Sequence, residues 1–329
     1  MSSAVDPAAS ATPEAQRLSH FPVTFFAVAM GLMGLVLALH GAGRTLAWAA
    51  PLSQGAFYAA AIVFMAIAAV YLLKLLRYPA AVRAEWNHPV KLAFFPAMTV
   101  ALLLTATACL GAYPKLALAL WILGTVGQGI LTIAVVSGWI SHRSFEVAHL
   151  TPAWFIPAVG NVIVPVAGVR LGYNELSWLF FSGGIVFWIV LLTLVMNRLV
   201  FHNPIPARLF PTLVILIAPP AVAFVAYYQL VGQIDPFAHI LLNAAYVFAI
   251  LVLMQLPKLL RLPFTLSWWA LSFPVAALTI ASFLYAGVAQ SAAHLLLGYG
   301  TLAALCVIIL GLSLRTFLAI ARKEICQPE

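Results

Sequence analysis

Few residues in this chain could do chemistry, and most of them lie where a membrane would end. The acidic residues Asp6, Glu14, Glu85, Glu146, Glu175, Asp235, Glu324 and Glu329 all fall in tails or at the ends of apolar runs. Proton-coupled carriers commonly keep ionisable groups at depth, where they are costly and retained for function. None of the acidic residues here is so placed. Rings of carboxylates, the usual lining of cation pathways, are missing too. Side chains that could line a water-filled path are neutral: Thr24, Thr99, Thr105, Asn161, Thr279 and Ser282. For each of these the alternative is a bond back to a carbonyl of its own helix. Arg44, Lys115 and Arg170 would stand together at one mouth, and a field of that sign favours anions.

No other chemistry has a matching pattern. His142 and His149 are seven residues apart across a loop, and no HxxxH or HExxH occurs. The remaining histidines sit near the ends of apolar runs, the usual place for an interfacial imidazole. Cys109, Cys306 and Cys326 are far apart and odd in number, which reads as free thiols. No nucleophile elbow or glycine-rich phosphate loop is found in a suitable context. Neither an enzyme nor a bound metal or cofactor is expected, and no basic patch interleaved with aromatics suggests nucleic acid.

The elements that must carry these residues follow from composition. The chain has 329 residues, 64% hydrophobic and 7% charged, with a mean hydropathy of +1.07. Soluble domains carry about 25% charged residues, so the solvent for most of this chain is a lipid bilayer. A span needs roughly 20 apolar residues. On that measure ten helices are predicted, near 22–41, 55–78, 91–112, 115–138, 150–171, 175–199, 207–230, 237–258, 266–287 and 290–318. Residues 1–20 read as a disordered tail, 21–322 as one ten-helix domain and 323–329 as a second short tail. The connections are short, so consecutive helices are antiparallel neighbours. Of the 16 lysines and arginines, 13 fall on the side that holds both termini, and only Arg44, Lys115 and Arg170 on the other. The positive-inside rule then predicts cytoplasmic termini.

An internal repeat divides the spans into two classes. Prolines mark the odd-numbered ones, at Pro22, Pro96, Pro157, Pro220 and Pro274, and leave the interiors of the even-numbered ones free. A proline frees a backbone carbonyl, and in lipid a freed carbonyl needs protein or water to satisfy it. The simplest arrangement is five helical hairpins, with the proline-kinked odd helices inside around a pore and the even helices outside. The run from Ser267 to Ala286 adds a large aromatic, Phe273, directly before Pro274 and among small residues. Two readings are open for Phe273, a plug in the pore or ordinary packing.

Taken in order, these features resemble the tellurite-resistance/dicarboxylate transporter family, which includes bacterial tellurite-resistance channel homologues and plant guard-cell slow anion channels. The residues that carry the likeness are WWALSFPVAAL in the ninth span, AEWNHPVKLAFF with Glu85, Pro89, Val90, Lys91 and Phe94, and HLTPAWFIPAVGN at the start of the fifth. The likeness runs from about Phe21 to about Arg322. It implies a homotrimer with one pore per subunit, in a bacterial inner membrane, with Phe273 occluding the pore. The expected function is a channel for small inorganic or organic anions. The alternative is a proton-coupled carrier of C4-dicarboxylates such as malate, or of oxyanions such as sulfite or tellurite.

Overall fold

The computed structural model describes residues 17–141 and 145–327. The expected disorder of residues 1–16 and the cationic Arg143 lie outside the described residues, as do the last two residues of the chain. Among the described residues there are ten apolar helices: α1 (Val23–Ala42), α2 (Ala49–Arg77), α3 (Lys91–Cys109), α4 (Pro114–Ser141), α5 (Pro152–Gly168), α6 (Asn174–Phe201), α7 (Phe210–Val231), α8 (Pro236–Met254), α9 (Leu266–Ala289) and α10 (Ala292–Ala321). Nine are long and apolar enough to cross a bilayer, and α5 is shorter. The protein is an all-α, multi-pass membrane protein. The described segment begins and ends on one side of it, where Arg17 donates to the Ile325 carbonyl (3.4 Å); this is the tail side, and the other is the far side.

Packing separates the helices as the prolines do. In α1, α3, α7 and α9 the share of the apolar stretch that is buried is 72, 78, 89 and 67%. In α2, α4, α6, α8 and α10 it is 28, 33, 28, 33 and 28%. The odd helices touch in the order α1, α3, α5, α7, α9, and α9 returns to α1, closing a five-membered ring. Each even helix packs outside the odd helix that precedes it. Large apolar side chains such as Ile62, Ile133, Ile189, Ile250 and Leu310 are exposed on the outer layer, as a lipid-facing surface requires.

Several boundaries differ from the sequence expectation. The second span starts at Ala49, six residues before the expected 55, because Pro51 sits in its first turn, where no N–H is needed. Between α2 and α3 the chain forms a short helix, Pro79–Trp86, again opened by a proline. Arg17 to Ser19 form a helical turn within the stretch expected to be disordered. The α5–α6 turn and the end of α7 use Gly172 (φ 89°) and Gly232 (φ 77°), a backbone conformation that glycine adopts without steric cost.

The prolines act differently from simple kinks in an α-helix. All five inner helices open on the tail side with 3-10 backbone: Val23–Phe25, Lys91–Phe94, Pro152–Trp154, Phe210–Ile217 and Leu266–Leu271. Runs beyond three or four residues are uncommon, so the eight residues of Phe210–Ile217 are long for this geometry. Pro96, Pro220 and Pro274 stand where 3-10 backbone passes to α, at the N-cap or in the first turn of the α segment. Pro22 precedes the 3-10 turn of α1. Pro157 lies in a five-residue α segment, Phe155–Val159, which is followed by more 3-10 backbone at Gly160–Ile163.

Candidate functional site: two cavities inside the ring

Carbonyls at these junctions need donors, and nearby side chains supply them. Thr99 donates to the Pro96 carbonyl (2.8 Å), Asn161 to Ala158 (2.8 Å), Thr212 to Leu209 (2.6 Å) and Ser272 to Trp269 (2.6 Å). Each reaches three residues back, the reach that suits a 3-10 turn. Thr105 and Thr279 instead bond four residues back, to Ala101 and Val275, within regular α-helix. Ser282 donates to Leu278 (2.8 Å) and meets the Tyr246 hydroxyl of α8 (2.8 Å). Thr24 lies in the opening 3-10 turn of α1, half-buried. None of these six residues expected at a pore lines the cavities described below.

The outer helices reinforce the ring at its most irregular point. Gln128 of α4 accepts from Thr99 (2.6 Å) and donates to the Pro157 carbonyl (3.0 Å). Thr132 donates to the same carbonyl at 2.7 Å. Trp121 of α4 donates its indole N–H to Val164 (2.9 Å), and Ser53 of α2 bonds to Val36 (2.9 Å). A carbonyl freed in the bilayer is thereby paired within protein. The expectation for the even helices missed this role. The signal for Gln128 was in the sequence, since an amide in mid-span is costly unless paired.

A second polar cluster fastens the start of α1. Lys74 and Glu85 form an ion pair at 2.8 Å, with 1% and 8% of their side chains exposed. Glu85 also accepts from the Tyr71 hydroxyl (2.9 Å) and from the backbone N–H of Val23 (3.3 Å), while Lys74 donates to the Phe21 carbonyl (2.8 Å). Glu85 thus supplies an acceptor for the first turn of α1, where the flanking residue Pro22 provides no side-chain cap.

Inside the ring are two cavities. The tail-side cavity, about 60 Å³, is walled by all five inner helices, with Met30, Phe94, Phe155, Val159, Ile215 and Trp269 among its lining residues. Trp269 carries the only side-chain N–H or O–H on this wall, and that indole N–H is bonded to Thr316 of α10 (2.9 Å). The far-side cavity, about 150 Å³, is lined in part by His40, Arg44, Thr107, Arg170 and Gln229. Among the described residues no carboxylate lines either cavity. Lys115, the third cation expected at this mouth, is exposed at the start of α4 and lines neither.

Three side chains are common to both walls: Phe273, Ile163 and Val222. They come from α9, α5 and α7, and Phe273 is 9% exposed. Gly34 of α1 sits beside the ring of Phe273: a Cβ placed there would lie 3.5 Å from Phe273 Cδ2 and 2.8 Å from the Ala276 methyl. The absence of a side chain at Gly34 thus lets α1 and α9 approach closely at Ala276, next to the aromatic. Among the described residues no three His, Cys, Asp or Glu side chains gather as a metal site would require.

The chain is similar to several known membrane transporters and channels. The chain is 27% identical over 284 residues to an uncharacterized transporter of Methanocaldococcus jannaschii, covering 78% of this chain and 82% of the relative. It is 27% identical over 259 residues to the tellurite resistance protein TehA homolog of Haemophilus influenzae, covering 78% and 79%. With the S-type anion channel SLAH3 of Arabidopsis thaliana it shares 26% identity over 288 residues, or 83% of this chain but 44% of that longer protein. Residues 20–317 match the sequence profile named SLAC1, voltage-dependent anion channel, and the chain therefore belongs to that family of membrane channels and transporters.

Proposed function

We propose that this protein is an anion channel whose path runs along the axis of the inner ring and is closed by Phe273. The observation that carries the reading is the pair of cavities parted by Phe273, Ile163 and Val222, with Arg44 and Arg170 on the far-side wall and no carboxylate on either. The two arginines raise the local concentration of anions at the far mouth. The apolar tail-side cavity offers a passing ion nothing to replace its water shell. Small monovalent anions that dehydrate easily would then be conducted in preference to strongly hydrated ones. On the distribution of 13 cations against 3, the tail side faces the cytoplasm of a bacterial cell. The assembly implied by the family likeness is a homotrimer with one path per subunit, built from the domain of residues 21–322.

Phe273→Ala tests the closure. An ordinary core phenylalanine costs about 3–5 kcal/mol on truncation to alanine. Phe273 borders open space on two sides, so its loss is expected to cost less than about 2 kcal/mol on the same scale. Anion conductance in planar bilayers should rise well above that of the wild type. A variant that is strongly destabilised and no more conductive would return Phe273 to ordinary packing and remove the closure from the proposal.

A further inference from the structure

Among the described residues two cations are buried on the tail side, and only one of the two is neutralised. Lys74 is paired with Glu85. Arg198, in the last turn of α6, is 3% exposed; its Nε and Nη1 are fully covered and have no partner. No ion pair to Arg198 exists among the described residues. An uncompensated buried charge is expensive, and the carbonyl end of α6 offsets only part of that cost. Trp188 Nε1, on the same helix face, and Thr151 Oγ1, at the start of α5, are also covered and unpartnered.

The position of this charge follows from the register of α6 on α5. The buried stripe of α6 runs through Ser177, Phe181, Gly184, Trp188, Leu191, Val195 and Arg198, and it packs on α5 and α7 of the ring. Gly184 lies against Val162 of α5, which fixes the register of the two antiparallel helices. Fourteen residues further along α6, at about 1.5 Å each, Arg198 stands roughly 21 Å towards the tail side. Eleven residues back along α5, at about 1.5–2.0 Å each, bring Thr151 to roughly the same level. Phe155 and Ile156, one turn deeper, already line the tail-side cavity. Arg198 is therefore level with the mouth of the path, one helix layer outside it.

We infer that Arg198 is a specificity-determining residue: an unpaired guanidinium that holds the tail-side mouth at positive potential and so favours small inorganic anions over cations. The inference rests on the channel reading above. It requires no contact with the ion. At about 10–15 Å in an effective dielectric near 20, one unscreened charge changes local anion occupancy roughly 5- to 20-fold. Because two of its three nitrogens are covered, its influence should survive high salt better than that of surface cations such as Arg44 and Arg170.

The test is the reversal potential across planar bilayers in a potassium chloride gradient, at low and at high salt, for wild type, Arg198→Gln, Arg198→Met and Arg198→Lys. The expected result is a several-fold fall in the anion-to-cation permeability ratio for the two neutral variants and wild-type behaviour for Arg198→Lys. The neutral variants should melt no lower than wild type, since they lose no partner. An unchanged permeability ratio in folded Arg198→Gln or Arg198→Met overturns the inference and leaves the channel reading standing. Failure of both neutral variants to fold overturns it as well, by making Arg198 structural. Absence of any anion current in wild type would remove the channel reading itself, and this inference with it.

Discussion

The Lys74–Glu85 pair makes a quantitative prediction about what holds α1 in the ring. Replacing Glu85 by Leu leaves the ammonium of Lys74 buried, with only the Phe21 carbonyl and the Tyr71 ring beside it. It also strips acceptors from the Tyr71 hydroxyl and the Val23 N–H. Breaking a buried pair from one side costs about 3–5 kcal/mol, and the orphaned donors bring the expected loss to roughly 4–6 kcal/mol. Lys74→Met should cost about 3 kcal/mol, because the carboxylate keeps two neutral donors. The double variant Lys74→Met/Glu85→Leu has no stranded charge and should lose only about 2–4 kcal/mol for the two bereft donors and the Phe21 carbonyl that Lys74 no longer reaches. The coupling energy of the cycle is then about 3 kcal/mol or more. Unfolding of the purified protein in mixed micelles by added SDS, for wild type and the three variants, measures it. Single-variant losses that simply add in the double, to within about 0.5 kcal/mol, would refute the claim that this pair is one buried unit.

Two further outcomes follow from the same physics. Gln128→Leu removes one of two acceptors in reach of the Thr99 hydroxyl and one of two donors to the Pro157 carbonyl; the expected loss is about 1–2 kcal/mol in the same unfolding assay, and a loss below about 0.3 kcal/mol would show that Thr132 alone suffices. Asp235 caps the start of α8, and the hydrogen bond from the Tyr227 hydroxyl, then that from the Ala238 N–H, hold its carboxyl below the usual carboxylate range. A depressed carboxyl stabilises the fold above its unfolded pKa of about 3.9, and that contribution is lost as pH falls through the folded value. The melting temperature should therefore decline below about pH 4, and Asp235→Asn, which keeps a cap acceptor, should flatten that decline; an unchanged acid limb in the variant would assign the decline to other groups.

Much of the architecture was legible because the bilayer leaves the chain few choices. Ten apolar runs, short connections and a proline in every odd run lead to five hairpins with a distinct inner set, and burial follows the same division. The placement of Phe273 beside small residues was legible too, through Pro274 and the alanines that follow. The polar residues were harder to place. Thr99, Thr105, Asn161, Thr279 and Ser282 look like pore lining in a one-dimensional reading, yet they bond to carbonyls of their own helices. Hydropathy locates a hydroxyl along a span but not around it. A helix that begins in 3-10 backbone also turns its faces away from the 3.6-residue period on which such readings rest.

The sequence by itself determined the solvent, the number of spans, their alternation and the sign of the charge at each end, since these depend on local composition and on the length of chain a bilayer demands. Only the tertiary structure decided which residues meet across distance. It joined Gln128 to Pro157 and Glu85 to the first turn of α1, and it set Phe273, Ile163 and Val222 on the walls of both cavities. It left Arg198 without a partner while it neutralised Lys74. Pairing of this kind depends on the rotation and register of packed helices, and those are fixed by close contacts such as Gly34 with Ala276 and Gly184 with Val162. Many sequences with the same hydropathy profile would pack differently, because a methyl group at either glycine is enough to move one helix along or around its neighbour.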